Sequence, residues 1–373
     1  MGEPSGQSGE PGQLNEVGFY TLAGAPKSPA ELIGEVAEAE AMGLGSAFIS
    51  ERFNIKEAAT LSGAAGAVST TLGLATAATN HNTRHPVVTA SYATTMHRLT
   101  GGRFTLGLGR GIAPLFDAYG LPRITTAQLE DITGLLRRLF RGEVVFGHDG
   151  PAGKYPVLHL DSTFDEDIPL GFTAFGPNSL AFAGRAMDMV VLHTFFPDAT
   201  VERAVRTVRD AAEAAGRDPS AVRIWSCYAT VHDGLPDDLR LKKTVGRLAT
   251  YLQGYGDLMV TTNGWDPAVL ERFRADPVVG GVGGAIDAKA DTATLEHIAT
   301  LLPDEWLEPA ATGSPERCAQ RVLHQFDLGV DGVIMHGATP AELAPVVEAY
   351  RALRPAGRFD GLAPNPGRTG RPS

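Results

Sequence analysis

The 373-residue chain is long enough for one large domain, and its 43% hydrophobic and 20% charged residues are ordinary globular composition. A net charge of −11 excludes broad contact with nucleic acid or an anionic membrane, because both surfaces would repel it. Cys227 and Cys318 lie far apart in sequence, which excludes a disulfide framework or a paired-thiolate metal site.

In chain order, residues 1–14 form a Gly/Ser/Pro-rich segment with too little apolar content to offset the entropy of ordering, so a disordered tail is expected. The first ten residues hold no apolar stretch of the signal-peptide kind. No later run approaches the ~18 apolar residues of a membrane span, so a cytoplasmic protein without a membrane partner is expected. A first strand begins near Glu16. Ser28-Pro29-Ala30-Glu31 then reads as a capping box with proline in the first turn of a helix. Gly43 and Gly45 stop that helix, and residues 46–50 form a short buried strand.

The same alternation of amphipathic helix, glycine and apolar strand recurs down the chain. Further strands are expected near Leu72, Phe104, Ile168, Asp188, Val222 and Asp331, and Thr339-Pro340-Ala341-Glu342 opens the last helix with a second capping box. Short, wholly apolar strands alternating with helices imply a parallel sheet covered on both faces, and eight such units favour a closed (β/α)8 barrel. Two spacings, residues 120–167 and 239–309, exceed one unit and are expected to be insertions at the barrel mouth. Residues 356–373, rich in Gly and Pro, are expected to be a second disordered tail, which leaves 15–355 as the barrel.

Active sites of such barrels lie just beyond the C-terminal ends of the strands, so polar residues there are the candidates. After the second strand come Glu51 and Arg52, which read equally as a surface ion pair or as functional groups. After the third comes the run from Thr79 to Pro86. Gly109, Arg110 and Gly111 follow the fourth strand; they lack the full GxGxxG spacing, so a tight turn is favoured over a dinucleotide fingerprint. Gly176, Pro177, Asn178 and Ser179 precede a helix, an arrangement that suits a phosphate but equally an ordinary capped turn. His193 and His336 follow the sixth and eighth strands. The ten histidines form no HExxH motif and no cluster at ligand spacing, so no metal is expected.

The segment 73–86, ending Thr79-Asn80-His81-Asn82-Thr83-Arg84-His85-Pro86, resembles the bacterial luciferase-like, flavin-utilising superfamily, and most of all its deazaflavin branch. Residues 101–111, the Gly176 block and the closing stretch around Gly313 and Gly329 are similar as well. The resemblance implies a (β/α)8 barrel with a non-prolyl cis peptide in the third strand, which alignment on Asn80 and Pro86 places at Ala77–Ala78, behind the cofactor ring. It implies coenzyme F420 as cofactor, with Thr79 and Asn80 at the ring's polar rim and the phosphate at the Gly109–Gly111 and Gly176–Ser179 turns. Relatives are commonly dimers, so a homodimer is compatible with it.

Dehydrogenases of that branch carry an Asp-His pair after the second strand and a Glu at the end of the first. Here Glu51-Arg52 and Ala25 stand instead. A guanidinium does not lose its proton near neutrality, so alcohol dehydrogenation by an imidazole base is not carried over. The expectation is an F420-dependent oxidoreductase acting on a small molecule, with Glu51 and Arg52 orienting or polarising the substrate or ring edge and His193 or His336 supplying a proton. The alternatives are an FMN-dependent monooxygenase and a non-catalytic flavin carrier.

Overall fold

The apolar runs become eight parallel strands, each starting within two residues of its expected position. They are β1 (Leu14–Tyr20), β2 (Leu44–Ile49), β3 (Gly73–Thr76), β4 (Phe104–Leu108), β5 (Leu170–Thr173), β6 (Met189–Val191), β7 (Arg223–His232) and β8 (Gly332–His336). The computed structural model describes residues 12–24, 26–52, 55–161 and 163–370, and within it β8 pairs with β1, which closes the cylinder. The eight barrel helices are α1 (Glu31–Ala41), α2 (Ala58–Val68), α3 (Pro86–Leu99), α4 (Thr126–Phe140), α5 (Pro177–Ala186), α6 (Asp198–Ala214), α7 (Pro315–Asp327) and α8 (Pro340–Leu353).

Burial explains why the strands lack polar alternation. One side chain set, including Phe48, Ala75, Met189, Val191, Trp225 and Ile334, fills the cylinder, and a second set packs outward against the helices. No helix among the described residues is long and apolar enough to cross a membrane.

The expected capping box at Ser28 is only half formed. The helix starts at Glu31 with Ala30 as its N-cap, and the Glu31 carboxylate accepts from the Ser28 N–H (3.3 Å) while Ser28 caps nothing in the helix. At Thr339 both halves are present.

The C-terminal expectation needs a larger correction. Residues 356–370 are not a loose tail but cross the N-terminal end of the barrel. The buried Arg223 donates to the carbonyls of Ala363, Asn365 and Arg368, each at 2.9 Å, and Trp225 Nε1 donates to Pro366 at 2.8 Å. Asn365 is itself buried, donating to the Gly102 and Phe104 carbonyls and accepting from the Thr105 hydroxyl. The segment is ordered by polar anchors on the barrel floor, a source of order that apolar content does not report. Of the expected N-terminal tail, residues 1–11 lie outside the described residues, whereas Gln13 donates to the Thr71 carbonyl at 2.8 Å and Leu14 is buried and opens β1.

The two insertions also differ from each other. Residues 120–167 contain the barrel helix α4 and an antiparallel hairpin, Val145–Gly150 with Gly153–Leu158. The hairpin lies on the outer wall, where Asp131 of α4 accepts from the Ala152 N–H at 2.8 Å and Val145 and Leu158 turn inward. It contributes nothing to the mouth. Residues 239–309 do: they fold into helices around their own core, with Trp265 stacked on Trp306 at 4.5 Å, and lay the Arg247–Asn263 helix over the strand ends.

Candidate active site

A cavity of about 750 Å³ opens at the C-terminal ends of the strands. It is bounded by the loops after β1 to β6, by β7 and β8 from below, and by the Arg247–Asn263 helix from above. Its size is that of a site for a cofactor-sized molecule.

The β3 end forms one wall. The Ala77–Ala78 peptide is cis, the single such non-prolyl bond among the described residues, and both alanines line the cavity. Thr79 N–H donates to Gly107 O and Gly109 N–H to Thr79 O, both at 2.9 Å, so the β3 and β4 ends are tied together. Asn80 lines the cavity and fixes the same turn by donating to the Gly109 carbonyl at 2.9 Å. A Cβ on Gly109 would stand 2.8 Å from the Ala78 Cβ, so only glycine leaves this corner its present shape. Gly111 adopts φ +69°, with Phe116 packed where a Cβ would be.

Thr79 was expected at the ring's rim, but it is buried and does not line the cavity. Its hydroxyl donates to Glu51 Oε2 at 2.5 Å. Glu51 and Arg52 do not pair. The Glu51 side chain is fully buried and takes bonds from Arg84, from Thr79 and from the Ala58 N–H (3.2 Å), while Arg84 also pairs with Glu57. Its carboxylate therefore holds β3 against the β2 loop, and Glu51 also lines the cavity. Arg52 is exposed at the cavity rim. Ala25, the counterpart of the family's acidic residue, lies outside the described residues.

On the opposite flank, Gly176 is the N-cap of α5 and makes no side-chain bond there; Gly176, Pro177, Asn178 and Ser179 all line the cavity. A ten-residue helix thus aims its N-terminal partial charge into the space. Arg110 lines the same end, its guanidinium held by the Ile124 carbonyl (3.0 Å) and the Thr126 hydroxyl (2.6 Å).

His193, half-buried, lines the cavity among Phe175, Tyr251 and Tyr255, and desolvation there pushes its pKa down to about 4. His336 is likewise held well below its ordinary range by burial, then by Arg247 nearby. Both imidazoles are neutral at pH 7. Four functional candidates escaped sequence reading: Lys56, Arg247, Tyr251 and Tyr255, all lining the cavity. The last three recur at four-residue intervals and so share one helix face, a spacing that was visible in the sequence. Lys56 left no such signal, since only the fold turns it inward. Among the described residues, no three His, Cys, Asp or Glu side chains converge as metal ligands.

Residues 13–332 match the family described as luciferase-like monooxygenase. The chain belongs to that family. It is an oxidoreductase with the family's (β/α)8 barrel. It is 28% identical over 319 residues to the 5,10-methylenetetrahydromethanopterin reductase of Methanolobus tindarius, covering 83% of this chain and 91% of the relative. The coenzyme F420-dependent tetrahydromethanopterin reductase of Methanopyrus kandleri superposes with a TM-score of 0.76 at 20% identity, over 91% of this chain and 99% of that one. The oxygenating component of 3,6-diketocamphane monooxygenase from Pseudomonas putida, in complex with FMN, superposes with a TM-score of 0.60 at 19% identity, over 90% and 96%.

Proposed function

We propose that this protein is a coenzyme F420-dependent oxidoreductase that moves a hydride between deazaflavin C5 and a small organic substrate. The observation that carries it is the shape of the cavity: a glycine-cleared corner at Ala78 and Gly109 faces an uncapped helix N-terminus at Gly176–Ser179. A flat ring suits the first, and an anionic phosphate suits the second. The name of the Methanopyrus kandleri neighbour, a coenzyme F420-dependent reductase, supports the deazaflavin over FMN.

The residues present fit the cofactor. Ala77, Ala78 and Asn80 would meet the ring, and Gly109–Gly111 with Gly176–Ser179 would hold the phosphate. When bound, the deazaflavin supplies a carbon that gives or takes a hydride. The chain positions and seals. Glu51, Arg84 and Thr79 fix the β3 wall from behind. Phe175, Tyr251, Tyr255 and Leu258 form an apolar roof that keeps water from the reacting centre. Arg52, exposed at the rim, would grip an oxygen of the substrate.

Fluorescence titration of the purified chain with F420 and, in parallel, with FMN tests the assignment. The expected result is F420 binding at least tenfold tighter, with loss of that binding in Gly109→Val. Preference for FMN would turn the assignment to a flavin monooxygenase, the reading that the FMN-bound neighbour favours.

A further inference from the structure

The cavity contains many polar groups, yet nearly all are spoken for. Glu51 is consumed by Arg84 and Thr79. Arg247 pairs with Asp287 at 2.8 Å. Cys227 is buried, with its thiol pushed up to about 12. The phenol of Tyr251 is likewise pushed up to about 12, and burial raises those of Tyr20 and Tyr255 well above their ordinary value.

Lys56 is different. It sits on the β2–α2 loop, is 7% exposed, and lines the cavity, where Nζ donates to Ser50 Oγ (3.3 Å) and more weakly to the Leu22 carbonyl (3.5 Å). Strand β3 separates it from the Gly109 and Gly176 turns, so it occupies the flank that a ring and phosphate on those turns would leave open.

We propose that Lys56 is the proton donor of the reaction and that the hydride acceptor is a carbonyl compound whose oxygen seats against the Lys56 ammonium. This rests on the deazaflavin assignment above. As the carbonyl carbon gains a hydride from the reduced deazaflavin, a C–H bond forms and the C=O π pair moves to oxygen. That oxygen takes a proton from Nζ, one N–H bond breaks, and an alcohol results; the neutral amine regains its proton from water.

Three features single out this amine and this acceptor. Burial, reinforced by Arg52 on its own loop and Arg247 on the roof helix, brings the Lys56 pKa down to about 8, against an opposing pull from Glu35 of α1. A donor near neutrality is the efficient one, while a guanidinium beside it holds its proton. The groups facing Lys56 from β1 and β8, Tyr20 and His336, are uncharged near neutrality. A cavity end with Arg52 and Lys56 stabilises developing negative charge on oxygen and repels an acceptor that is itself a cation, such as an iminium.

The test begins with the 373-residue chain without cofactor. The chain has six lysines, and reductive methylation with 13C-formaldehyde gives each an NMR signal whose titration is read directly. One signal is expected to titrate near pH 8 and to be missing in Lys56→Met. Titration of every lysine above pH 10 overturns the proposal, as does failure of Lys56 to react, because formaldehyde is the smallest carbonyl compound the cavity could meet. With reduced F420 and a panel of ketones and aldehydes, Lys56→Met is expected to lower kcat by roughly 100-fold while leaving the F420 dissociation constant unchanged. Wild-type kcat is expected to fall as pH rises through about 8. Unchanged kcat in the variant overturns the role of Lys56, whereas failure of the wild type to bind F420 strikes the deazaflavin assignment instead.

Discussion

His193 and Tyr255 are joined by a 3.0 Å contact between Nε2 and the phenol oxygen, and the other side of the imidazole fixes which group donates. On the other side, Nδ1 lies 2.9 Å from the Thr194 carbonyl, which only accepts. Nδ1 therefore carries the proton, and Tyr255 donates to Nε2. His193, expected from sequence as a proton source, thus also holds the Tyr255 phenol of the roof. Long-range 15N NMR of the imidazole should show the Nδ1–H tautomer at pH 7. Tyr255→Phe should lower stability by about 1 kcal/mol in urea unfolding, while the Thr194 carbonyl keeps the Nδ1–H tautomer.

Acid stability follows from three imidazoles. His81 and His193 are brought down to about 4 from an ordinary 6.5, and His336 is brought well below it, in each case chiefly by burial. The unfolded chain then binds more protons than the folded one at acid pH. The contribution is intact above pH 6.5 and is lost as pH falls toward 4, at up to about 1.4 kcal/mol per pH unit for each imidazole. Urea melts at pH 7, 6 and 5 measure this slope. His193→Phe should make it shallower.

Glu51→Gln removes the carboxylate that joins Arg84, Thr79 and the start of α2. Hydrogen bonds to a charged group are worth about 2 kcal/mol each, and Arg84 keeps Glu57, so a loss of about 2–3 kcal/mol is expected by chemical denaturation. Weaker F420 binding with an unchanged pH dependence would mark Glu51 as a support for the β3 wall. A new titration in the activity profile would mark it as a reacting group.

The barrel floor gives a prediction of the opposite kind. Asn365→Ala strips bonds to Gly102, Phe104 and Thr105 at once, leaving buried partners without replacement. A loss of about 2–4 kcal/mol is expected, with F420 affinity unaltered because the floor and the cavity lie at opposite ends of the strands. Protease cleavage within residues 356–370 should accelerate in that variant.

The fold was legible because the strands are buried on both faces: runs such as those opening at Met189 and Gly332 announce themselves without any knowledge of partners. The floor was not, because Arg223 and Asn365 are polar residues whose burial depends on carbonyls more than a hundred positions away. The same applies within the site. Glycine turns and helix starts mark the Gly109 and Gly176 end of the cavity locally, whereas the partnership of Glu51 with Arg84 spans 33 residues and separates Glu51 from its neighbour Arg52. Lys56 is a surface residue by every local criterion until the Leu22 loop and the roof helix enclose it.

A crystal structure with F420 bound is the most direct test of the whole account. The ring is predicted to lie beside Ala78 and Gly109, its phosphate on the Gly176–Ser179 helix start, and its C5 turned toward the flank that holds Lys56. A ring seated outside this cavity, or a phosphate lodged at Arg52 and Lys56, would contradict it.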